Sequence, residues 1–73
     1  MTSARPTLRR GAEGDDVEIL HQKLRSVGMP VQGDPVAVFG ASTEETVRVF
    51  QRRRNLQVDG ICGPDTWSAL DEH

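Results

Sequence analysis

The sequence has few aromatic residues and a single cysteine. Its aromatic side chains are Phe39, Phe50 and Trp67, and there is no tyrosine among the 73 residues. Cys62 has no second thiol with which to form a disulfide within the chain, and one thiolate cannot build a thiolate metal site. A chain this short buries only about 60% of the surface that it exposes when unfolded. Packing and helix capping must therefore stabilise the fold without a covalent or metal cross-link.

Long apolar runs and a dominant charge are also missing. No segment approaches the roughly 20 apolar residues of a membrane-spanning helix, and the N-terminal residues show no apolar stretch typical of a secretion signal. The net charge is −2, which disfavours nucleic-acid binding and gives no reason to expect an anionic membrane as partner. His21 and His73 have no partner at metal-ligand spacing, and no motif places a catalytic triad. We therefore expect no metal, no cofactor and no catalytic residues.

The length indicates one domain, and the chain divides into a flexible tail (1–7) and a folded domain (8–73). The clearest helix signal covers 15–27, where apolar residues recur with helical spacing: Val17, Leu20, Leu24 and Val27. Asp15 is the expected N-cap, with Glu18 three residues later as in a capping box. Gly28 follows and can adopt the left-handed conformation that ends a helix.

Two further helices are predicted. Prolines and glycines exclude a helix from 29–41, and the second helix then runs from about residue 42 to 54 with Asn55 as its left-handed terminator. A third short helix covers 64–71 and begins with Pro64, whose missing N–H is tolerated at the first helical position. The fold class that follows is all-α, a compact three-helix bundle.

A loop-to-helix pattern occurs twice, 23 residues apart. Each copy has an apolar pair, a glycine, two further residues, a threonine and an apolar residue four positions later. The first copy runs over 38–47 and the second over 61–70. The glycine provides the turn, and the threonine hydroxyl can bond backbone groups at the helix start. The bundle is therefore expected to contain two similar loop–helix repeats.

This pattern resembles the peptidoglycan-binding domain family of bacterial cell-wall hydrolases, over about residues 8–70. Three motif blocks occur in the family's order. The matching residues are Leu8, Gly11, Gly14, Val17, Leu20, Leu24 and Gly28, then Phe39, Gly40, Thr43, Val47, Phe50 and Gln51, then Leu56, Val58, Asp59, Gly60, Gly63, Pro64, Thr66 and Trp67. The arginine-rich turns and the sequence from Val58 to Trp67 are similar to those of actinobacterial cell-wall amidases. The resemblance implies a non-catalytic module that tethers an attached hydrolase or regulator to the wall.

The sequence departs from the family pattern at several positions. His21 stands where the family usually has glutamine, and Asn55 stands where it usually has glycine. Ala41 and Thr46 replace a frequent proline and a frequent alanine. Val36 and Ala37 occupy the place of the first Asp-Gly pair, while Asp34 lies two residues earlier. This last change leaves open whether the first loop has the family's shape.

Candidate ligand contacts lie in the two loops and on the second helix. Arg48 and Arg52, one helical turn apart, offer bidentate donors to carboxylates, and the helix N-termini in the repeats attract anions. Trp67 can stack on a sugar or cover the core, Asp59 can accept amide hydrogens or brace its own turn, and Gln51 is expected to bond a loop backbone. The predicted ligand-binding residues are Gln32, Asp34, Phe39, Arg48, Arg52, Gln57, Asp59 and Trp67.

The expected partner is peptidoglycan or its stem-peptide and muropeptide fragments, bound by a monomer. A regulatory or protein-interaction domain that has kept the fold without binding the wall is the alternative. A helix-turn-helix DNA binder is disfavoured by the net charge and by loops longer than a three- to four-residue turn. We expect the domain in the bacterial cell envelope if it is exported as part of a longer chain. A cytoplasmic location stays open, because no signal peptide is visible.

Overall fold

Three helices and no strand make up the part of the chain that the computed structural model describes, residues 5–72. Helix α1 spans Asp15–Ser26, α2 spans Ala41–Arg53 and α3 spans Pro64–Asp71. These bounds lie within a residue or two of the predicted ones, so the all-α, three-helix architecture is confirmed. Within residues 5–72, no helix is long and apolar enough to cross a membrane.

The start of α1 differs from the prediction, whereas two helix ends agree with it. Gly14 is the N-cap, without a side-chain cap bond, and Asp15 is already helical. The φ of 119° at Gly14 explains the difference, because this backbone angle favours glycine over aspartate. Gly28 (φ 82°) and Asn55 (φ 59°) have the left-handed conformation that was predicted to end α1 and α2.

An extended lead-in, residues 8–14, pairs with both repeats. Leu8 exchanges two backbone hydrogen bonds with Cys62, at 3.0 and 2.8 Å. Phe39 donates its N–H to the carbonyl of Ala12 and accepts from the N–H of Gly11, both at 2.9 Å. Since Phe39 and Cys62 are equivalent in the repeat, the lead-in ties the two loops together from the same side of each copy.

The core forms where the helices and both loops meet. Its buried apolar members are Leu8, Val17, Leu20, Leu24, Phe39, Val47, Phe50, Cys62, Trp67, Ala69 and Leu70. Burial raises the pKa of the Cys62 thiol to about 12, as expected for a thiol without water to solvate its anion. Val27, predicted as core, is half-buried and packs on the edge of this cluster.

Residues 5–7, assigned to the tail from the sequence, contact α3. The indole Nε1 of Trp67 donates to the carbonyl of Pro6 at 3.0 Å, and the Arg5 guanidinium lies 4.9 Å from the centroid of the Trp67 ring. Asp71 pairs with Arg5 at 3.1 Å and with Lys23 of α1 at 2.7 Å. Residues 5–7 are not helical, which agrees with their lack of periodicity, and residues 1–4 and His73 lie outside the described part of the chain.

The first loop keeps the backbone turn of the second loop without its Asp-Gly pair. Ala37 has a φ of 67°, and Gly60, its equivalent in the repeat, has a φ of 74°. A left-handed alanine costs roughly 1–2 kcal/mol relative to its ordinary conformations. Val36, at the place of Asp59, is 73% exposed. The altered residues therefore change the surface chemistry of this loop more than its backbone path.

Candidate ligand-binding site

The second loop is organised by the amide of Gln51, which is only 1% exposed. Its Oε1 accepts the backbone N–H groups of Asp59 and Gly60, at 3.1 and 3.0 Å. Its Nε2 donates to the carbonyl of Ile61 at 2.9 Å and lies 3.0 Å from the hydroxyl of Thr66. The predicted bonding of a loop backbone by Gln51 is therefore present, and this one side chain joins α2, the loop and α3.

Asp59 completes this network and braces its own turn. Its Oδ1 accepts the N–H of Ile61 and the amide of Gln51, both at 2.9 Å. The bond from the Ile61 N–H lowers the pKa of Asp59, burial opposes that effect, and the bond from Gln51 lowers the pKa further. The net pKa lies below the usual value, so Asp59 is ionised at neutral pH. One carboxylate oxygen is thus used inside the loop, while the side chain remains at the surface.

A shallow groove, here called the second-repeat groove, runs beside this network. Its volume of about 130 Å³ is well below the roughly 300–1,000 Å³ of sites that enclose a small molecule. It is lined by Gln51, Leu56, Gln57, Asp59, Ile61, Gly63, Pro64, Asp65 and Thr66. Amides, carboxylates and three apolar side chains share its surface, which suits one part of a longer polar ligand.

A second depression, the first-repeat pocket, lies against α1. Its volume is about 190 Å³. It is lined by Glu18, His21, Gln22 and Arg25 of α1 and by Pro30, Val31, Asp34 and Val36 of the first loop. The four α1 residues recur with helical spacing, so they share one face of the helix. The pocket is mixed in charge, with an apolar wall formed by the loop.

Asp34, predicted to contact ligand, caps helix α2. Its Oδ2 accepts the N–H groups of Gly40 at 2.9 Å and Thr43 at 2.6 Å, and its Oδ1 accepts that of Ser42 at 3.4 Å. Burial raises the pKa of Asp34, but the bonds from Thr43, Gly40 and Ser42 outweigh it and hold the pKa below its usual value. The carboxylate therefore occupies the N-terminus of α2, where the sequence suggested room for a ligand anion.

His21 on α1 contacts the threonine of the first loop–helix copy as Gln51 on α2 contacts the threonine of the second. Its Nε2 lies 2.9 Å from the hydroxyl of Thr43, as the Nε2 of Gln51 lies 3.0 Å from that of Thr66. Burial lowers the pKa of His21, and the charge of Asp34 opposes this by raising it; the net pKa is below 6.5. At neutral pH the imidazole is therefore uncharged and can act as the amide does.

The remaining predicted residues are spread over the surface and the core. Gln57 lies in the second-repeat groove, while Gln32 is exposed outside both depressions. Arg52 is exposed, and Arg48 lies 3.7 Å from Glu44 and 3.8 Å from Glu45. The two arginines lie on one helix, and neither lines the first-repeat pocket or the second-repeat groove.

Two predicted aromatic contacts are buried. Phe39 is 1% exposed and Trp67 is 5% exposed, so neither ring offers a face on which a sugar could stack. Both were predicted as ligand contacts, but a small core needs its largest apolar side chains inside. For Trp67, the alternative interpretation as core cover agrees with the structure.

Several lining residues were not selected from the sequence, in particular His21, Arg25 and Asp65. His21 was considered a lone imidazole. Aligning Val17, Leu20 and His21 of α1 with Val47, Phe50 and Gln51 of α2 pairs His21 with Gln51, and that register was the available signal. No comparable pattern distinguishes Arg25 from the other arginines, because its place in the pocket depends on how the first loop folds against α1.

Comparisons with known proteins agree with this architecture. Residues 13–70 match the family model of the peptidoglycan binding domain. The chain is 39% identical over 57 residues to the N-acetylmuramoyl-L-alanine amidase CwlM of Mycobacterium tuberculosis, covering 78% of this chain and 14% of that protein. It is 35% identical over 68 residues to a spore cortex-lytic enzyme of Halalkalibacterium halodurans, covering 89% and 19%. The chain thus spans less than a fifth of these two relatives.

A solved structure resembles the whole domain. The SleB N-terminal domain superposes with a TM-score of 0.85 at 34% sequence identity, covering 97% of this chain and 96% of that one. The family model covers more than half of the chain. The chain therefore belongs to the peptidoglycan-binding domain family.

Proposed function

We propose that this domain binds peptidoglycan through the second-repeat groove, as a non-catalytic module that holds an attached hydrolase or regulator at cell-wall material. The observation that carries the site is the difference between the two helix N-termini in the repeats. Asp34 accepts the N–H groups of Gly40, Ser42 and Thr43 at the start of α2, whereas no side chain among residues 5–72 bonds the N–H groups of Asp65 or Thr66 in the first turn of α3. The first N–H groups of a helix have no partner within the helix, so those of α3 remain available to a ligand.

The groove offers complementary groups to a muropeptide. The N–H groups at Asp65 and Thr66 can donate to a ligand carboxylate or an N-acetyl oxygen, favoured by the positive end of the helix dipole. The exposed amide of Gln57 can both donate and accept. Leu56 and Ile61 provide apolar contacts for the methyl groups of alanine and lactyl units. The Gln51 network keeps this loop in place before the ligand arrives, which reduces the entropy lost on binding.

The family relationship supports the wider proposal. Two similar proteins are named as an amidase and a spore cortex-lytic enzyme, and this chain matches a small part of each. We infer that the catalytic step belongs to another domain and that this domain works as a monomer on stem-peptide or glycan fragments in the cell envelope. Size-exclusion chromatography with light scattering tests the monomer.

Titration of the ¹⁵N-labelled domain with soluble muropeptides tests the groove. We expect chemical-shift changes concentrated at residues 56–66, with dissociation constants in the millimolar range or below. Gln57→Ala should weaken binding by about five- to thirtyfold, since it removes one or two hydrogen bonds of roughly 1 kcal/mol each. Gln32→Ala is the matched control, because Gln32 is an exposed loop glutamine outside the groove. Equal effects of the two variants, or no shifts in the groove, would exclude this site.

Sedimentation with insoluble cell wall separates wall binding from the regulatory alternative. The domain should move to the pellet with the wall, and excess soluble muropeptide should release it. A domain that has kept only the fold would remain in the supernatant at all wall concentrations.

A further inference from the structure

The side chain that contacts the threonine of each loop–helix copy is titratable at the first copy and not at the second. His21 of α1 contacts the Thr43 hydroxyl, whereas Gln51 of α2 contacts that of Thr66, and each threonine lies in the first turn of the next helix. An amide keeps its charge state at every pH, whereas an imidazole gains a proton in mildly acidic conditions. The first-repeat pocket therefore has a chemistry that the second-repeat groove lacks.

We propose that the first-repeat pocket is a second binding site, which takes the carboxylate of a peptide ligand when His21 is protonated. This inference rests on the proposed peptidoglycan binding, since stem peptides carry free carboxylates. It adds a separate site whose affinity increases as the pH falls. A stem peptide and a free short peptide both offer such a carboxylate. The experiment below distinguishes these two sources.

The hydrogen bonds assign a role to each nitrogen of the ring. The Thr43 hydroxyl donates to the carbonyl of Val38 at 3.3 Å, so it accepts the hydrogen of His21 Nε2. In the neutral ring Nδ1 then has no hydrogen, and it has no partner among residues 5–72. Protonation places a new donor and a positive charge at Nδ1 without disturbing the bond to Thr43.

After this step the pocket lining carries two positive groups, His21 and Arg25, and two carboxylates, Glu18 and Asp34. Arg25 faces the pocket from α1 and has no ion pair within the described residues. Glu18, from the same helix, is the opposing charge at the pocket. The Asp34 carboxylate stabilises a charged His21, but its oxygens are already held by the N–H groups at the start of α2. A ligand carboxylate can therefore bond to His21 and Arg25 together.

The pH range follows from the His21 environment. Burial lowers the pKa of His21 below 6.5, with Asp34 opposing the shift, so the ring is neutral at pH 7.5 and increasingly charged towards pH 5. A peptide carboxylate has a pKa of about 3.3–3.7 and stays ionised over that range. Binding should therefore strengthen on acidification, and by linkage a bound carboxylate should raise the pKa of His21.

The experiment uses two probes that differ in one group: an N-acetylated dipeptide with a free C-terminal carboxylate, and its C-terminal amide. Binding to the ¹⁵N-labelled domain is measured at pH 7.5 and pH 5.0. The acid should bind about threefold more tightly at pH 5.0, the gain of one exposed ion pair, with shifts around His21 and Arg25. The amide should show no such gain.

His21→Gln is the matched variant, because Gln51 shows that glutamine can serve the equivalent threonine. It should keep the fold and lose the pH dependence of acid binding. In the wild type, ring-proton titration of His21 should show a pKa raised by about half a unit with saturating acid, which matches a threefold linkage. An equal gain for the amide, a pH dependence retained in His21→Gln, or an unchanged His21 pKa would each overturn the proposal.

Soluble muropeptide, added in the same series, separates this inference from the proposed function. Shifts at residues 56–66 without a pH-dependent response at His21 would leave the second-repeat groove in place and remove the second site. A response at His21 to the free dipeptide acid but not to muropeptide would refute the stem peptide as its source.

Discussion

Replacing Asp34 with alanine removes the side chain that caps helix α2. Its carboxylate accepts three backbone N–H groups, two of them at 2.9 and 2.6 Å. A hydrogen bond to a charged group contributes about 1.5–3 kcal/mol, and loss of a helix cap costs about 0.5–2 kcal/mol. Because Asp34 is half-buried and water can replace part of these bonds, we expect a loss of about 2–3 kcal/mol.

This loss is large for a domain of 73 residues, whose total stability is expected to be roughly 4–11 kcal/mol. It corresponds to a decrease in Tm of about 10–20 °C at the usual 4–8 °C per kcal/mol. Urea denaturation followed by circular dichroism at 222 nm measures the free energy of unfolding, and thermal denaturation measures Tm. The slope of the urea transition should stay unchanged, because the same surface is exposed on unfolding.

Asp15→Ala is the control for a lost carboxylate at a helix start. Asp15 is exposed in the first turn of α1, where the helix has no side-chain cap bond, so its removal should cost no more than about 0.3–1 kcal/mol. A loss below about 1 kcal/mol for Asp34→Ala, or one equal to that of Asp15→Ala, would refute the capping role. Full stability with weakened muropeptide binding would instead restore Asp34 as a ligand contact.

Three further predictions follow from the same geometry. Gln51→Ala should reduce the free energy of unfolding by about 2–4 kcal/mol in urea denaturation, because the buried N–H of Gly60 and the buried hydroxyl of Thr66 would lose their hydrogen-bond partner. A loss under 1 kcal/mol would contradict the stabilising role of the Gln51 network. Ala37→Gly should raise the free energy of unfolding by about 1 kcal/mol or less in the same assay. It removes about 1–2 kcal/mol of strain from a left-handed alanine, while the greater flexibility of glycine in the unfolded chain offsets about 0.4–1 kcal/mol of that gain. A lower midpoint would argue against that backbone angle. The lowered pKa of His21 means that the unfolded state binds its proton more tightly, so stability present above pH 6.5 should decline as the pH falls through the folded-state pKa. This decline should be weaker in His21→Gln, and equal pH profiles of wild type and variant would exclude the effect.

Local patterns predicted the helices and their ends because these depend on neighbouring residues. The spacing of Val17, Leu20 and Leu24 places them on the buried face of α1, and all three are 0% exposed. Gly28 and Asn55 end their helices through a backbone conformation that their own residue types favour. Helix formation and termination depend on residues within one or two helical turns, so they can be predicted from the local sequence.

The functional surface depends on contacts that are distant in the sequence. Asp34 caps a helix that begins seven residues later, at Ala41. In the sequence, an aspartate in a loop looks the same whether its carboxylate contacts a ligand or a helix N-terminus. Phe39 was predicted as a ligand contact, yet it fills the core. Burial and hydrogen-bond partners are properties of the assembled chain, which is why the surroundings of the candidate site residues could not be predicted from local patterns as the helices were.

The sequence by itself determined the family, the three helices and the doubled loop–helix pattern, because these follow from periodicity, turn residues and motif spacing. Only the tertiary structure decided which helix N-terminus remains open, since that depends on where the Asp34 carboxylate comes to rest. It also decided that His21 takes the place of Gln51 beside a threonine hydroxyl. Both outcomes arise when the first loop folds against α1 and α2, a contact that no local pattern specifies.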